Sequence, residues 1–155
     1  MPISSYLKNL REKVGHDILQ IPSVAAIVRD ENGRILFVKS AESETWSLSA
    51  GAIDLGESPS EAIIREVFEE TNLNVKPEKI VGVFGGEKFR FVYANSDAVE
   101  YLIVVFECEV TGGGLFSRDE EVSEFRYFPV EEIPDLAIPY PKSIFVRGTG
   151  KTFFQ

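Results

Sequence analysis

Between Gly51 and Leu73 the chain reads GAIDLGESPSEAIIREVFEETNL, and Glu66, Glu69 and Glu70 recur there at helical spacing. At 100° per residue they fall within an arc of about 100°, so one helix face carries three carboxylates. Ile63, Ile64, Val67 and Phe68 fill an adjoining arc that can pack on a sheet. Like charges at i,i+4, such as Glu66 and Glu70, cost roughly 0.2–0.5 kcal/mol even when exposed, and a counterion removes that cost. Hard divalent cations take oxygen ligands, and Mg2+ combines a few carboxylates with waters and substrate phosphates. Arg65 stands beside Glu66 and one turn before Glu69, where it can orient a carboxylate or reach back to Glu57.

These side chains need a rigid support, and the sequence supplies one. Ser58-Pro59-Ser60-Glu61 combines an N-cap serine, a proline at the first helical position and a glutamate at the third, a capping box that predicts a helix over Pro59–Thr71. Apolar runs predict strands over Val24–Arg29 and Arg34–Lys39, and Asp30-Glu31-Asn32-Gly33 between them reads as a hairpin turn. Further strands are expected over Ile80–Phe84, Phe89–Tyr93, Tyr101–Val110 and Phe125–Val130, with Thr111–Gly114 a turn and a poorly defined element after the proline-rich stretch Pro134–Pro141. Ile3, Tyr6, Leu7, Leu10 and Val14 lie at helical spacing, and Gly15 is placed to end that helix in a left-handed turn.

The 155 residues, 44% of them hydrophobic, suit one compact domain over 1–155, with 1–20 a helical extension. A net charge of -9 repels phosphate backbones, and no basic patch in the sequence overcomes it, which argues against general nucleic-acid binding. The lone Cys108 cannot form an internal disulfide, and no run approaches the roughly 18 apolar residues of a membrane span. A cytoplasmic protein is the expectation.

Gly51, five residues, Glu57, seven residues, then Arg65-Glu66-Val67-Phe68-Glu69-Glu70-Thr71-Asn72-Leu73 resembles the Nudix box. Asn72 departs from the family's usual glycine, but asparagine tolerates the same left-handed backbone. Ser49-Ala50 stands where related sequences often read Pro-Gly, and Ala50 still offers the backbone carbonyl that the family uses for metal. The resemblance implies a Nudix α/β/α sandwich, a mixed sheet between helices with the box as loop, helix and loop. It implies hydrolysis of the pyrophosphate bond of a nucleoside diphosphate linked to another moiety, with Mg2+ as cofactor and Mn2+ as an alternative. Glu66, Glu69, Glu70 and the Ala50 carbonyl would hold metal, and Glu66, Arg65 and Glu57 would serve catalysis. The general base is open between Glu66 and a late loop glutamate, Glu120, Glu121 or Glu124, with Glu121 favoured. Relatives often pair, so a homodimer joined through the N-terminal helix stands beside simple intramolecular packing of that helix.

Trp46, Phe89 and Phe91 are candidates to contact the small-molecule nucleotide, with core packing as the competing reading; Phe89, Phe91 and Tyr93 would alternate on one strand face. His16 reads as a surface or cap residue and Cys108 as a small core residue. Gly85-Gly86 and Gly112-Gly113-Gly114 fit no nucleotide-binding glycine spacing and read as turns. A nucleotide sensor that keeps the fold without turnover is the alternative to an enzyme.

Overall fold

The computed structural model describes residues 3–117, 120–148 and 150–155. Helix α1 (Ser5–Val14) begins where Ser4 caps it, its hydroxyl accepting from the Leu7 amide at 3.2 Å. Gly15 ends it with φ +63°, ψ -130° and its amide on the Arg11 carbonyl, a positive-φ exit outside the helical left-handed well that was expected. The helix buries none of its residues and is tied down instead by Arg11, whose guanidinium donates to the carbonyls of Gly15, Asp17 and Ala98.

Strand β1 (Leu19–Val28) is central to a mixed sheet that also contains β4 (Ser49–Ala52), β5 (Leu73–Phe84), β6 (Arg90–Val92), β7 (Ala98–Gly113) and β9 (Phe153–Phe154). The path runs β4-β1-β7-β5-β9, with β6 also on β7; β1 pairs parallel with β7 and antiparallel with β4. Strands β2 (Ile35–Ser40), β3 (Trp46–Ser47) and β8 (Val122–Phe128) form a second sheet in the order β3-β2-β8.

Alternation along β1 sorts the core into two layers. Val24, Ala26 and Val28 pack with Phe106 and Cys108 against Ala62, Ile63 and Val67 of helix α2 (Pro59–Thr71). Ala25 and Ile27 face the other way, onto Phe37, Leu48, Phe84, Tyr140 and Phe145. The result is the expected α/β/α arrangement, with α2 on one face of the mixed sheet and the 3-10 turns Val130–Glu132 and Lys142–Phe145 among the elements on the other.

Several expectations are corrected. The Asp30–Gly33 turn forms, with Asp30 Oδ1 accepting from the Asn32 and Arg34 amides, but β1 and β2 do not continue as a hairpin beyond the Arg29–Ile35 bridge. One edge of β1 pairs with β7 along its length and the other with β4 over Ser23–Ala26, and β2 pairs instead with β3 and β8 in the second sheet. Residues 111–113 are strand rather than turn, because α2 feeds directly into β5 and the first residues of β5 pair with Gly112 and Gly113. A Cβ at Gly113 would stand 2.3 Å from the Asn72 carbonyl oxygen, so only glycine fits there. Strand β5 also runs through Pro77, where the register shifts, as proline requires within a sheet. Phe89 closes a 3-10 turn (Glu87–Phe89) and β6 starts at Arg90, so Phe89 does not share a strand face with Phe91.

Asn72 adopts φ +65°, ψ 14°, the left-handed cap expected of it. A side chain with a Cβ and no local hydrogen bonding costs roughly 1–2 kcal/mol in that region. Asn72→Ala is therefore expected to lower stability by about 1 kcal/mol and Asn72→Gly to stay within about 0.5 kcal/mol of the parent, read from urea unfolding midpoints. Equal losses in both would remove backbone conformation as the reason for asparagine.

Candidate functional site

Helix α2 is fixed at its start by the capping box: Ser58 Oγ accepts from the Glu61 amide and the Glu61 carboxylate from the Ser58 amide, each at 3.2 Å. With Ala62, Ile63 and Val67 turned into the core, Glu66 and Glu70 fall on the inner border of the helix and are themselves buried. They face β4, whose register sets Ser49 opposite Ala26 and Gly51 opposite Val24, the β1 residues that point toward α2.

Gly51 is the notch into which Glu66 fits. A Cβ at that position would lie 2.1 Å from the Glu66 carboxyl carbon, so any other residue would expel the carboxylate. Glu66 is 1% exposed; its Oε1 accepts from Arg65 Nη1 at 2.7 Å, while Oε2 is buried without a hydrogen-bond partner among the described residues. Burial above all, then the charges of Glu70 and Glu69, push its pKa up to about 8 against the pull of Arg65. Glu70 is held from the strand: Ser49 Oγ donates to its Oε1 at 2.7 Å and the Ala50 amide at 2.9 Å. In an extended strand the N–H and C=O of one residue leave on the same side, so the Ala50 carbonyl also points off this edge.

Arg65 joins the cluster. Its Nε and Nη2 take the two Glu57 oxygens at 2.6 and 2.8 Å, Nη2 also reaches the Ala52 carbonyl at 3.0 Å, and Nη1 bridges Glu66 at 2.7 Å and Glu69 at 3.4 Å. The paired bonds to Glu57 are the planar fork-to-fork geometry that lysine cannot make. They raise the guanidinium's pKa and, with the Asp54 amide on Glu57 Oε1, hold the Glu57 carboxyl below its ordinary range.

Among the described residues, no three His, Cys, Asp or Glu side chains stand as a closed metal cage, because Arg65 sits among Glu57, Glu66 and Glu69. The donor set nevertheless fits a hard cation: an unpartnered buried carboxylate oxygen on Glu66, the Glu70 charge that repels it, and Glu69 one turn away.

The remaining candidates lie elsewhere. Glu121 is exposed in the turn before β8, with its carbonyl accepting from the Ala41 amide at 2.8 Å, beside residues 118–119, which are not described. Glu124 pairs with Arg126. Trp46 packs edge-on against Phe128 at 5.1 Å, with the Arg126 and Lys39 cations over its ring. Phe91 meets Tyr93 at 4.8 Å and is half-buried. Phe89, by contrast, is 1% exposed and packs between Phe84 and Tyr140 as a core residue. The sequence reading passed over Ser49 as a partner of Glu70; the available signal was its two-residue spacing from Gly51, which puts both on one strand face.

A family model described as NUDIX domain matches residues 19–146. A MutT-like protein of Streptomyces ambofaciens is 35% identical over 91 residues, 59% of this chain; the match spans about half of that relative's length, 53%. An ADP-ribose pyrophosphatase of Methanocaldococcus jannaschii is 30% identical over 129 residues, covering 79% of this chain and 71% of that protein. Among solved structures, a UDP-X diphosphatase superposes with a TM-score of 0.73 at 20% identity, over 100% of this chain and 76% of the other.

The raised Glu66 pKa has a stability consequence in metal-free protein. Between its ordinary value near 4.5 and about 8 the folded state binds a proton that the unfolded state releases, so stability falls as pH rises through that window. Glu66→Gln, which stays neutral, is expected to gain stability relative to the parent from pH 4.5 to 8 in the presence of chelator. A difference in thermal midpoint that does not change with pH would show that Glu66 is ionised throughout.

Proposed function

Because this chain belongs to the Nudix hydrolase family, we propose that it hydrolyses the pyrophosphate bond of a nucleoside diphosphate derivative with the help of Mg2+ held at the α2–β4 carboxylates. The observation that carries this reading is the buried Glu66 Oε2, without a hydrogen-bond partner among the described residues, in the notch of Gly51 and opposite a second buried carboxylate.

Nudix hydrolases generally use divalent metal ions. In this proposal Glu66, Glu69, Glu70 and the Ala50 carbonyl would hold the ion, which would supply Lewis-acid chemistry at the diphosphate. Arg65 is a positioning residue: clamped by Glu57, it holds Glu66 and Glu69 at fixed separation and can release Glu69, its longest contact at 3.4 Å, without losing its own anchor. Ser49 fixes one Glu70 oxygen and so sets where the other is aimed. A base is needed to take the proton of the attacking water; Glu66, where it does not serve the ion, and Glu121 on its exposed turn are the two candidates. Trp46 and Phe91 remain candidates for contact with the base, whereas Phe89 is withdrawn because it is buried.

The matched proteins carry names with different substrates, ADP-ribose in one and a UDP derivative in another, so the test spans the class. Nucleoside triphosphates, nucleotide sugars, ADP-ribose and dinucleoside polyphosphates are offered with and without Mg2+, and product release is measured for the parent and Glu69→Gln. Turnover is expected only with Mg2+, falling by about 10²-fold or more in the variant. Metal-dependent binding without turnover on any member would replace the hydrolase reading with that of a nucleotide sensor.

A further inference from the structure

The second sheet shares a core layer with the side of the mixed sheet that faces away from α2. Ile35 and Phe37 of β2 lie in that layer, and their cross-strand partners on β8 are Phe128 and Arg126. By the same alternation Lys39 belongs to this face, opposite Glu124 on one side and Trp46 on the other. The first four residues of β2 are buried and the last two are not, so the face is apolar at Ile35 and becomes cationic toward Lys39. There Lys39 and Arg126 both stand over the Trp46 ring, at 5.8 and 5.5 Å from its centroid. Arg126 also lies over the Phe128 ring at 5.6 Å. The strand that carries the indole is fixed on both sides, by its pairing with β2 and by the Ala137 amide, which donates to the Trp46 carbonyl at 3.0 Å.

Two cations on one ring are matched by one carboxylate. Glu124 stands across the ladder from Lys39, yet it pairs with Arg126, and among the described residues no carboxylate lies within ion-pair distance of the Lys39 ammonium. An aromatic ring attracts cations through its quadrupole and leaves their N–H groups unspent. The two are therefore held in place with donors still to give. Their place also relates to the glutamate cluster. Strand β4 is the edge of the mixed sheet, and the Ala50 amide that donates to Glu70 leaves that edge on the side away from β1. Trp46 precedes Ala50 by four residues and packs on the same core layer, so the two backbones lie within about 14 Å of each other. A nucleoside carrying two or more phosphates spans that distance.

We propose that Lys39 and Arg126, held on the Trp46 ring, bind a phosphate group of the substrate and so determine which part of it lies at the glutamate cluster. That the ligand is a substrate rests on the hydrolase reading above; that the two cations bind phosphate does not. Lysine brings a compact point charge, and the guanidinium, with Nη2 on Glu124, keeps its other donors for phosphate oxygens. Glu124 competes with the phosphate for Arg126. Trp46 is in this account a holder for cations and not a stacking surface, which leaves Phe91 as the candidate for the base.

Trp46 is the only tryptophan in the chain, so its fluorescence reports on this place alone. The full chain is titrated in chelator with inorganic pyrophosphate and, separately, with adenosine, which carries a base and no phosphate. The parent, the double variant Lys39→Gln/Arg126→Gln and Glu124→Gln are compared, their unfolding midpoints serving as a check on folding. Pyrophosphate is expected to change the parent's emission saturably and adenosine to leave it unchanged. The double variant is expected to lose about tenfold or more in pyrophosphate affinity, and Glu124→Gln to gain affinity. With Mg2+ and the substrate identified by the panel above, the double variant is expected to raise KM about tenfold with kcat close to the parent's. The proposal is overturned if pyrophosphate leaves the parent's emission unchanged, if the double variant binds it as tightly as the parent, or if KM does not move. A response to adenosine alone overturns it in favour of a base stacked on Trp46. Should no member of the panel be turned over, the hydrolase reading fails by itself, and the pyrophosphate titration decides the phosphate site without it.

Discussion

The glutamate cluster depends on one close approach, that of β4 to α2 at Gly51. The Glu66 carboxyl group occupies the space where every other amino acid carries its Cβ, and that contact fixes the separation of helix and strand. Two pairings locate it. Strand β4 is registered on β1 by Ser49–Ala26 and Gly51–Val24, and α2 is registered on the same β1 face through Val24 and Ala26. A slip of β4 by one residue would turn the methyl groups of Ala50 and Ala52 toward the helix and carry the Ser49 hydroxyl away from it, removing the notch and the Glu70 donor together.

Such an arrangement is electrostatically expensive, and Arg65 makes it tolerable. Burying Glu66 beside Glu70 sets desolvation and repulsion against one charge-assisted bond, and its raised pKa is the measure of that imbalance. Arg65 does not neutralise the cluster by proximity alone. Its fork is spent first on Glu57, so the guanidinium plane is set by a residue outside the helix, and only Nη1 is turned toward Glu66 and Glu69. A lysine would supply the charge without the plane.

How much of this was legible in the sequence follows from how local each cause is. The ends of α2 were readable to the residue because the capping box, the proline and the left-handed asparagine all act within one turn. The carboxylate face was readable for the same reason, since helical phase needs no partner. The hairpin reading failed because a turn signal reports the turn and not the destinations of its strands, which depend on β7, about 80 residues beyond its β1 partners in the chain. Phe89 was misplaced because alternation cannot register a 3-10 turn that shifts the phase by a residue. Gly51 was legible as a motif position, but its reason, a carboxylate seated against the backbone, requires the tertiary structure.

Ser49-Ala50 changes meaning in the same way. Read against the Pro-Gly of related sequences, it is a loss of loop freedom. In the fold, the serine hydroxyl and the alanine amide both donate to one oxygen of Glu70, whereas a proline at 49 would have no hydroxyl to give. The two buried carboxylates are thereby made inequivalent: two donors aim at Glu70 Oε1, and among the described residues none reaches Glu66 Oε2. Of the pair, Glu66 is the one that keeps a proton to about pH 8. Ser49-Ala50 thus gives Glu70 two donors where Pro-Gly could give only the amide.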